Sequence, residues 1–354
     1  MLADITSRQD SKRRLFVVGF PSTYGGAGTE LHHQIIAWRS MDVEVHLIPS
    51  WPAETEGLYE EMIKMGVHVH GPGSFEQLRP TDPVLGFCNA EFLDALPEIR
   101  EFTKRTIFVN CMTWLFDKER ECMEEGLISM FLYQNEDVRK DHRLKLRELN
   151  SDPNVKFQTF KPYFDASLFP FVTGRCEESF GCGRISRQDA DKFSRNTLHI
   201  YEYFVSKKWK KGLFLGFDDR SEEKIGTPYD WIRCAKDQSE ISQQDFYKHC
   251  EIILQPTDTT ENWPRVGFEA MASGSVLIVD NRGGWKKMVE HGKTGWLCDH
   301  ERDFIYYASK MAYEPDLRAE MASAAKERGL LLGSLEQSVS SWQEVFACID
   351  QLPE

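Results

Sequence analysis

Glu261 and Glu269 stand eight positions apart, with Asn262-Trp263-Pro264-Arg265-Val266 directly after the first of them. A carboxylate is an acceptor that matches a pair of hydroxyl donors, such as a vicinal diol. The residues between the two glutamates read as the start of a helix, with Pro264 in its first turn, where a missing N–H costs nothing. A helix start presents free N–H groups and the positive end of the helix dipole, which suits an anionic ligand. Further upstream, Arg184, Arg187 and Lys192 bring a bidentate fork and a point charge into one short segment. That combination suits a diphosphate, although such a cluster by itself is more often surface than site. A third segment, Gly25-Gly26-Ala27-Gly28, is a glycine-rich loop of the phosphate-cradling kind. It has neither the spacing of the dinucleotide fingerprint nor a following P-loop lysine.

The elements that must hold these groups follow from the pattern around them. Residues 252–254 form an apolar run that ends at Pro256 and a Thr/Asp-rich loop. Ala270-Met271-Ala272 favours helix and Gly274 stops it. Residues 275–279 read as a buried strand, and Gly283-Gly284 as the turn after it. The glycine loop stands between a buried strand at 15–20 and a helix carrying Leu31, Ile35 and Trp38 on one face. Further strands are expected at 43–48, 84–88, 106–110, 128–132 and 212–217, and helices at 58–65, 91–104, 135–149, 197–204 and 241–250. Ser242 is placed to cap the last of these, with Asp245 three residues on. Strands alternating with helices specify α/β domains with parallel sheets, in which ligands sit at the carboxyl ends of strands. Residues 110–113 are such an end. The adjacent His32 and His33 lie inside a helix and read as satisfied or surface histidines. Asp218 and Asp219 read as solvated loop carboxylates, and the cations of 135–149 as a solvated helix face.

A chain of 354 residues is expected to form about two domains. A net charge of −13 argues against nucleic acid as a partner. The nine cysteines show no metal-ligand spacing, so no metal site is expected. No apolar run approaches the ~20 residues of a transmembrane helix. Residues 1–14 are polar and lack the apolar core of a signal segment. The expected location is the cytoplasm, with the inner membrane face open as a peripheral position.

The stretch from Glu261 to Gly284 resembles the retaining GT-B glycosyltransferases of family four, within the glycosyl transferases group 1. The resemblance rests on Glu261, seven residues, Glu269, the run Ala270 to Gly274, a strand, and Gly283-Gly284. It extends to the glycine loop, to Asp165 and Phe169 in a connector, to Gly183-Arg184, and to Gly292-Lys-Thr-Gly295-Trp-Leu297. It implies two Rossmann-like domains facing across a cleft. They would cover residues 1–160 on the acceptor side and 173–335 on the donor side, joined by a hinge near 160–172, with a helix at 336–354 packing back on the first. It implies a hexosyltransferase-type reaction with retention, from a UDP- or GDP-sugar to a glycan, lipid-linked or small-molecule acceptor, without metal or cofactor. The leaving phosphate would itself take the acceptor's proton. Arg184 and Lys192, with Arg187 as the alternative to Lys192, would hold the diphosphate. Glu261 would bind sugar hydroxyls and Glu269 the ribose. Gly25, Gly26, Asn262, Trp263, Arg265 and Val266 would complete the donor site. Two departures stand out. Pro264 occupies a position where relatives often carry Gly, with Arg265 beside it as a substitute contact. Trp285-Lys286-Lys287 occupies a position where relatives carry Glu, and Trp285 is expected to pack. The alternative is a non-catalytic nucleotide-sugar-binding scaffold on the same fold.

Overall fold

The computed structural model describes residues 12–19, 26–50 and 59–354. They form two compact units, one of Ala27–Phe160 with the first strand and Ser338–Glu354, the other of Lys161–Gln337.

In the first unit seven strands form one parallel sheet. They are β1 (Arg14–Val18), β2 (Glu44–Ile48), β3 (His68–Val69), β4 (Val84–Phe87), β5 (Thr106–Asn110), β6 (Met130–Tyr133) and β7 (Lys156–Thr159). Their order is β3-β2-β1-β4-β5-β6-β7. Helices α1 (Gly26–Ser40), α2 (Tyr59–Lys64), α3 (Ala90–Phe102), α4 (Asp117–Glu124) and α5 (Glu136–Leu149) connect them. The inner strands β1, β4, β5 and β6 are mostly buried runs of Val, Ile, Leu, Phe and Met, as a sheet covered on both faces requires. Asn89 caps α3 by accepting from the Phe92 amide. On α5, Glu136 pairs with Arg139 and Asp141 with Lys145, so much of its charge is compensated on the solvent face.

The second unit has its own parallel sheet: β8 (Ser179–Ile185), β9 (Trp209–Leu215), β10 (Ile232–Ala235), β11 (Ile252–Gln255), β12 (Val276–Asp280) and β13 (Gly295–Cys298). Their order is β10-β9-β8-β11-β12-β13. Its helices are α6 (Thr197–Tyr203), α7 (Asp219–Ile225), α8 (Gln243–His249), α9 (Arg265–Ser273), α10 (Trp285–Met288), α11 (Glu301–Tyr313) and α12 (Pro315–Leu332). The last helix, α13 (Leu335–Ile349), lays Trp342, Val345, Phe346 and Ile349 into the core of the first unit. There the Trp342 indole N–H donates to Gln34 at 2.5 Å, and its ring meets Trp38 edge-on.

Several expected boundaries move. The first strand ends at Val18, and the helix after the glycine loop already begins at Gly26. Pro264 is the N-cap of α9, so Arg265, not Pro264, opens the helix. The segment around Arg184, to which the sequence pattern assigns no element, is the central strand β8. Its glycines explain how the strand packs. A side chain on Gly181 would strike the His249 carbonyl, and one on Gly183 the Cys250 thiol and Phe246 ring. The strand can lie this close to α8 only without side chains there. The connector folds into a short 3-10 turn at Ala166–Leu168, capped by Asp165. Trp285 is fully buried core. No helix among the described residues is long and apolar enough to cross a membrane.

Candidate functional site

In an open parallel sheet the strand order reverses at one point, and the crevice outside the carboxyl ends of the two strands there is the natural ligand position. In the second unit that point lies between β8 and β11, which pair in parallel through Cys182–Ile252 and Gly183–Ile253. Arg184 stands near the carboxyl end of β8, and the loop carrying Glu261 follows β11. The Gln255 side chain spans the seam, accepting from the Ile185 amide at 3.2 Å.

Arg184 is wholly buried. Its guanidinium lies over the Phe193 ring at 3.3 Å, and Nη2 donates to the Lys192 carbonyl at 2.6 Å. Nε and Nη1 are buried and have no hydrogen-bond partner among the described residues. Burial pushes the guanidinium down to about 9, against the pull of Tyr201, Glu261 and Asp280, so it remains a cation at neutral pH. A buried cation with two donors unused is costly unless an acceptor supplies what is missing.

The chain turns from β8 through a 3-10 turn at Ala190–Lys192, capped by Asp189. This turn swings Lys192 back over the seam, where its ammonium donates to Glu261 Oε1 at 2.7 Å. Both side chains keep some solvent exposure, 20% and 16%, so a ligand can reach them. Arg187 goes elsewhere: it is half exposed and pairs with Asp189 at 3.0 Å. Of the two candidates for a second cation, the structure therefore brings Lys192, not Arg187, to Glu261.

The Glu261 loop is braced from behind. Gly284 N–H donates to the Glu261 carbonyl at 2.7 Å. A Cβ on Gly284 would strike the Asn262 carbonyl, and one on Gly283, where φ is +54°, the Glu261 carbonyl. The glycine pair is thus required by the close approach of two backbones. Asp280, the last residue of β12, ties the other flank. It accepts from the Thr257 amide at 3.0 Å and from its hydroxyl at 2.8 Å. Burial raises the Asp280 carboxyl above its ordinary range.

Glu269, one turn into α9, is buried and accepts from the Tyr247 hydroxyl at 2.8 Å. Desolvation raises its carboxyl, with the Tyr247 bond and the nearby Arg265 charge pulling the other way. Arg265 is itself buried. Its Nη1 donates to the Tyr163 carbonyl at 2.8 Å, and the guanidinium stacks over Phe164 and Phe268. These contacts tie α9 to the connector, a packing role that the expectation of a donor contact did not include. Asn262 is buried. Trp263 is half-buried and its ring lies 6.3 Å from Phe268. Val266 is half-buried, and its carbonyl receives the Tyr247 hydroxyl at 3.4 Å. Gly26 is the exposed first residue of α1. Gly25 lies outside the described residues.

Tyr247 and the Thr257–Asp280 pair were missed by sequence reasoning. Tyr247 belongs to α8, and only the fold places it against α9. Among the described residues no group of His, Cys, Asp or Glu is arranged to hold a metal. In the first unit, Asn110 turns inward. Its amide donates to Glu119 Oε2 at 2.8 Å and to the Trp114 carbonyl at 3.1 Å. His33 is buried against the Thr29 carbonyl, and His32 faces Glu61 at 3.3 Å. Asp218 caps α7.

What converges at the seam is a carboxylate, two cations and the amides that open α9. Such a set can bind an anion and stabilise charge that grows on it as a bond to it breaks.

Residues 236–328 match the family of glycosyl transferases group 1. Solved structures share the whole fold. HepE of Anabaena, in complex with UDP and glucose, superposes with a TM-score of 0.71 at 13% identity, covering 95% of this chain and 99% of that one. Sucrose-phosphate synthase of Thermosynechococcus elongatus gives 0.68 at 12% identity, covering 95% and 98%. The fold is therefore GT-B, with two Rossmann-like α/β domains. The D-inositol 3-phosphate glycosyltransferase of Pseudarthrobacter chlorophenolicus is 24% identical over 108 residues, which are 30% of this chain. The match spans about a quarter, 26%, of that relative's length. The whole chain thus has the GT-B fold, and residues 236–328 within it carry the likeness to glycosyl transferases group 1.

Proposed function

We propose that the protein transfers a hexosyl group from a nucleotide sugar, with retention at the anomeric carbon, to a glycan, lipid-linked or small-molecule acceptor. The observation that carries this reading is the seam between β8 and β11. There Lys192 reaches Glu261 at 2.7 Å beside the buried, incompletely partnered Arg184. Glycosyl transfer breaks the bond between the anomeric carbon and a phosphate oxygen. Negative charge grows on that phosphate and positive charge on the sugar ring. Arg184 and Lys192 take the diphosphate. Glu261 accepts from sugar hydroxyls, and Glu269, with Tyr247 as its second partner, accepts from the ribose. The leaving oxygen takes the acceptor's proton, so no separate base is needed, and neither metal nor cofactor takes part. HepE, a neighbour in fold, is solved with UDP and glucose and with UDP-glucose, which supports a nucleotide-sugar donor here. The cytoplasm, where nucleotide sugars are made, is the compartment this reading implies.

The test is to incubate the protein with UDP-, GDP- and dTDP-sugars, with and without candidate acceptors, and to measure nucleoside diphosphate release. Release with one donor, abolished in Lys192→Met, is the expected result. Nucleotide binding without release under any condition would instead favour a non-catalytic binding protein.

A further inference from the structure

We infer that Cys88 and Cys111 are a redox modification site of the first unit, closing to a reversible disulfide across the carboxyl ends of β4 and β5. Both are thiols in the structure, and both are half-buried, so a small oxidant can reach them. They follow neighbouring strands. β4 and β5 pair in parallel with Phe87 opposite Val109. The ladder runs one step further, with the Cys88 amide donating to the Val109 carbonyl at 2.9 Å. Cys88 therefore stands opposite Asn110, one residue short of Cys111. With strands ~4.8 Å apart and ~3.3 Å of rise per residue, the two Cα atoms lie roughly 6 Å apart. A disulfide spans about 4.4–6.8 Å between Cα atoms, so the backbone need not move.

The side chains converge as well. In a parallel ladder the next bond would run from the Cys111 amide to the Cys88 carbonyl. Here that amide donates to the Cys88 sulfur, at 2.9 Å. The cause lies in the backbone. Cys88 has a φ of +46°, which turns its carbonyl out of the ladder and its Cβ in. Among the described residues the other non-glycine with positive φ is Asp42, a type enriched there, as cysteine is not. A strained residue thus holds its sulfur against the backbone of a second cysteine. Rotation about the Cys111 Cα–Cβ bond can then bring the two sulfurs together.

The oxidant is a low-molecular-weight disulfide. One thiolate attacks a sulfur of it and forms a mixed disulfide, releasing one small thiolate, which takes up a proton. The second cysteine attacks the protein-side sulfur and expels the other small thiol. Two protein thiols are oxidised to one S–S bond, and one small disulfide is reduced to two thiols. In a reducing compartment the pair rests as the dithiol, so the bond reports on redox state and is not a permanent staple. Its place is the ligand side of the sheet, whose order reverses between β1 and β4. Asn89, next to Cys88, caps α3 and lies so close to Gly19, just after β1, that a Cβ there would strike it. Cys111 opens the segment in which Asn110 holds the Met112 amide and Glu119 the Phe116 amide. The bond ties that segment to β4. This inference does not depend on the proposed reaction.

The test uses the full chain carrying Cys176→Ser, which removes the exposed thiol. Oxidised glutathione at neutral pH is the probe. Two of the eight remaining thiols should be lost, tryptic mapping should join the Cys88 and Cys111 peptides, and dithiothreitol should restore both. Amide exchange across residues 111–116 should slow at least about threefold in the oxidised form. Cys88→Ser keeps a hydroxyl to accept from the Cys111 amide, so it should melt like the parent yet lose no thiol pair; Cys111→Ser should behave alike. A lasting mixed disulfide on either cysteine, or a bond to any other cysteine, would overturn the inference. So would a pair that reacts no faster than the buried Cys182 and Cys250, or loss of a thiol pair in Cys88→Ser.

Discussion

Replacing Arg184 by Met removes the charge and both unused donors while keeping much of the side-chain volume. In the ligand-free protein the guanidinium gains a carbonyl hydrogen bond at 2.6 Å and a ring contact at 3.3 Å. Together these stabilise by ~2–4 kcal/mol. Against them stands the desolvation of a fully buried cation with two donors unsatisfied, which costs several kcal/mol. The terms nearly cancel, so Arg184→Met should leave the unfolding free energy within ~1 kcal/mol of the parent, or raise it. Binding should behave differently. If Nε and Nη1 point to a phosphate, two charge-assisted contacts are lost, about 2–4 kcal/mol after partial compensation by water. That is a Kd roughly 30- to 700-fold weaker. The assay is titration calorimetry with UDP and GDP on parent and variant, beside urea unfolding of both without ligand. An unchanged Kd, or a loss of more than ~2 kcal/mol of ligand-free stability, would refute the reasoning. Either result would make Arg184 a structural cation that happens to lack partners.

Four further outcomes are expected. Glu261→Gln releases Lys192 from its ion pair, so nucleoside diphosphate affinity should hold or rise while sugar transfer falls; coupled release assays read both, and a fall in affinity alone would reverse the roles. Glu269→Ala should weaken nucleoside diphosphate binding by ~1–3 kcal/mol, because donors lose their acceptor; an unchanged calorimetric affinity removes Glu269 from the ribose. Gly284→Ala drives a methyl into the Asn262 carbonyl and should cost ~2–4 kcal/mol in urea melts, with donor binding lost; a neutral effect would mean the loop yields freely. Burial raises the Glu119 carboxyl to about 8. The protonated acid therefore contributes stability that is full below ~4.5 and is lost as pH rises to about 8. Glu119→Gln should accordingly gain roughly 3–5 kcal/mol over the parent between pH 5 and pH 8, and a pH-independent difference would refute this.

The strand–loop–helix–strand around Glu261 was legible because its signals are local. An apolar run, a proline, helix-forming residues and a stop glycine follow one another, and the structure reproduces them as β11, α9 and β12. Ser242 was legible for the same reason, since its hydroxyl accepts from the Asp245 amide three residues on. Arg184 was legible as chemistry but not as structure. The glycines around it look like loop, and only their fit against α8 shows why a central strand uses them. Tyr247 and Glu269 lie 22 residues apart, and Thr257 and Asp280 23 apart. Hydrogen bonds of that range leave no periodic trace in a sequence. Glu119 reads as one more acid on a charged helix until Asn110 and the Phe116 amide close around it.

In the proposed reaction Arg184 and Lys192 would divide one task in a way their surroundings dictate. Lys192 is partly exposed and neutralised by Glu261 in the absence of ligand, so its ammonium can swing between partners at little cost. A flexible stem and a compact charge suit such an exchange. Arg184 has no such freedom. It is pinned by Phe193 and by the carbonyl of Lys192 itself, so the rigid cation fixes where the exchangeable one is anchored. An anion arriving at the seam would meet a positive charge that is already desolvated and need displace only one ion pair. The displaced carboxylate, Glu261, would then be free to accept hydroxyl donors at the moment the anion is bound. In the proposed reaction the ion pair between Lys192 and Glu261 would be the resting form of a site whose two halves separate to hold the two halves of one ligand.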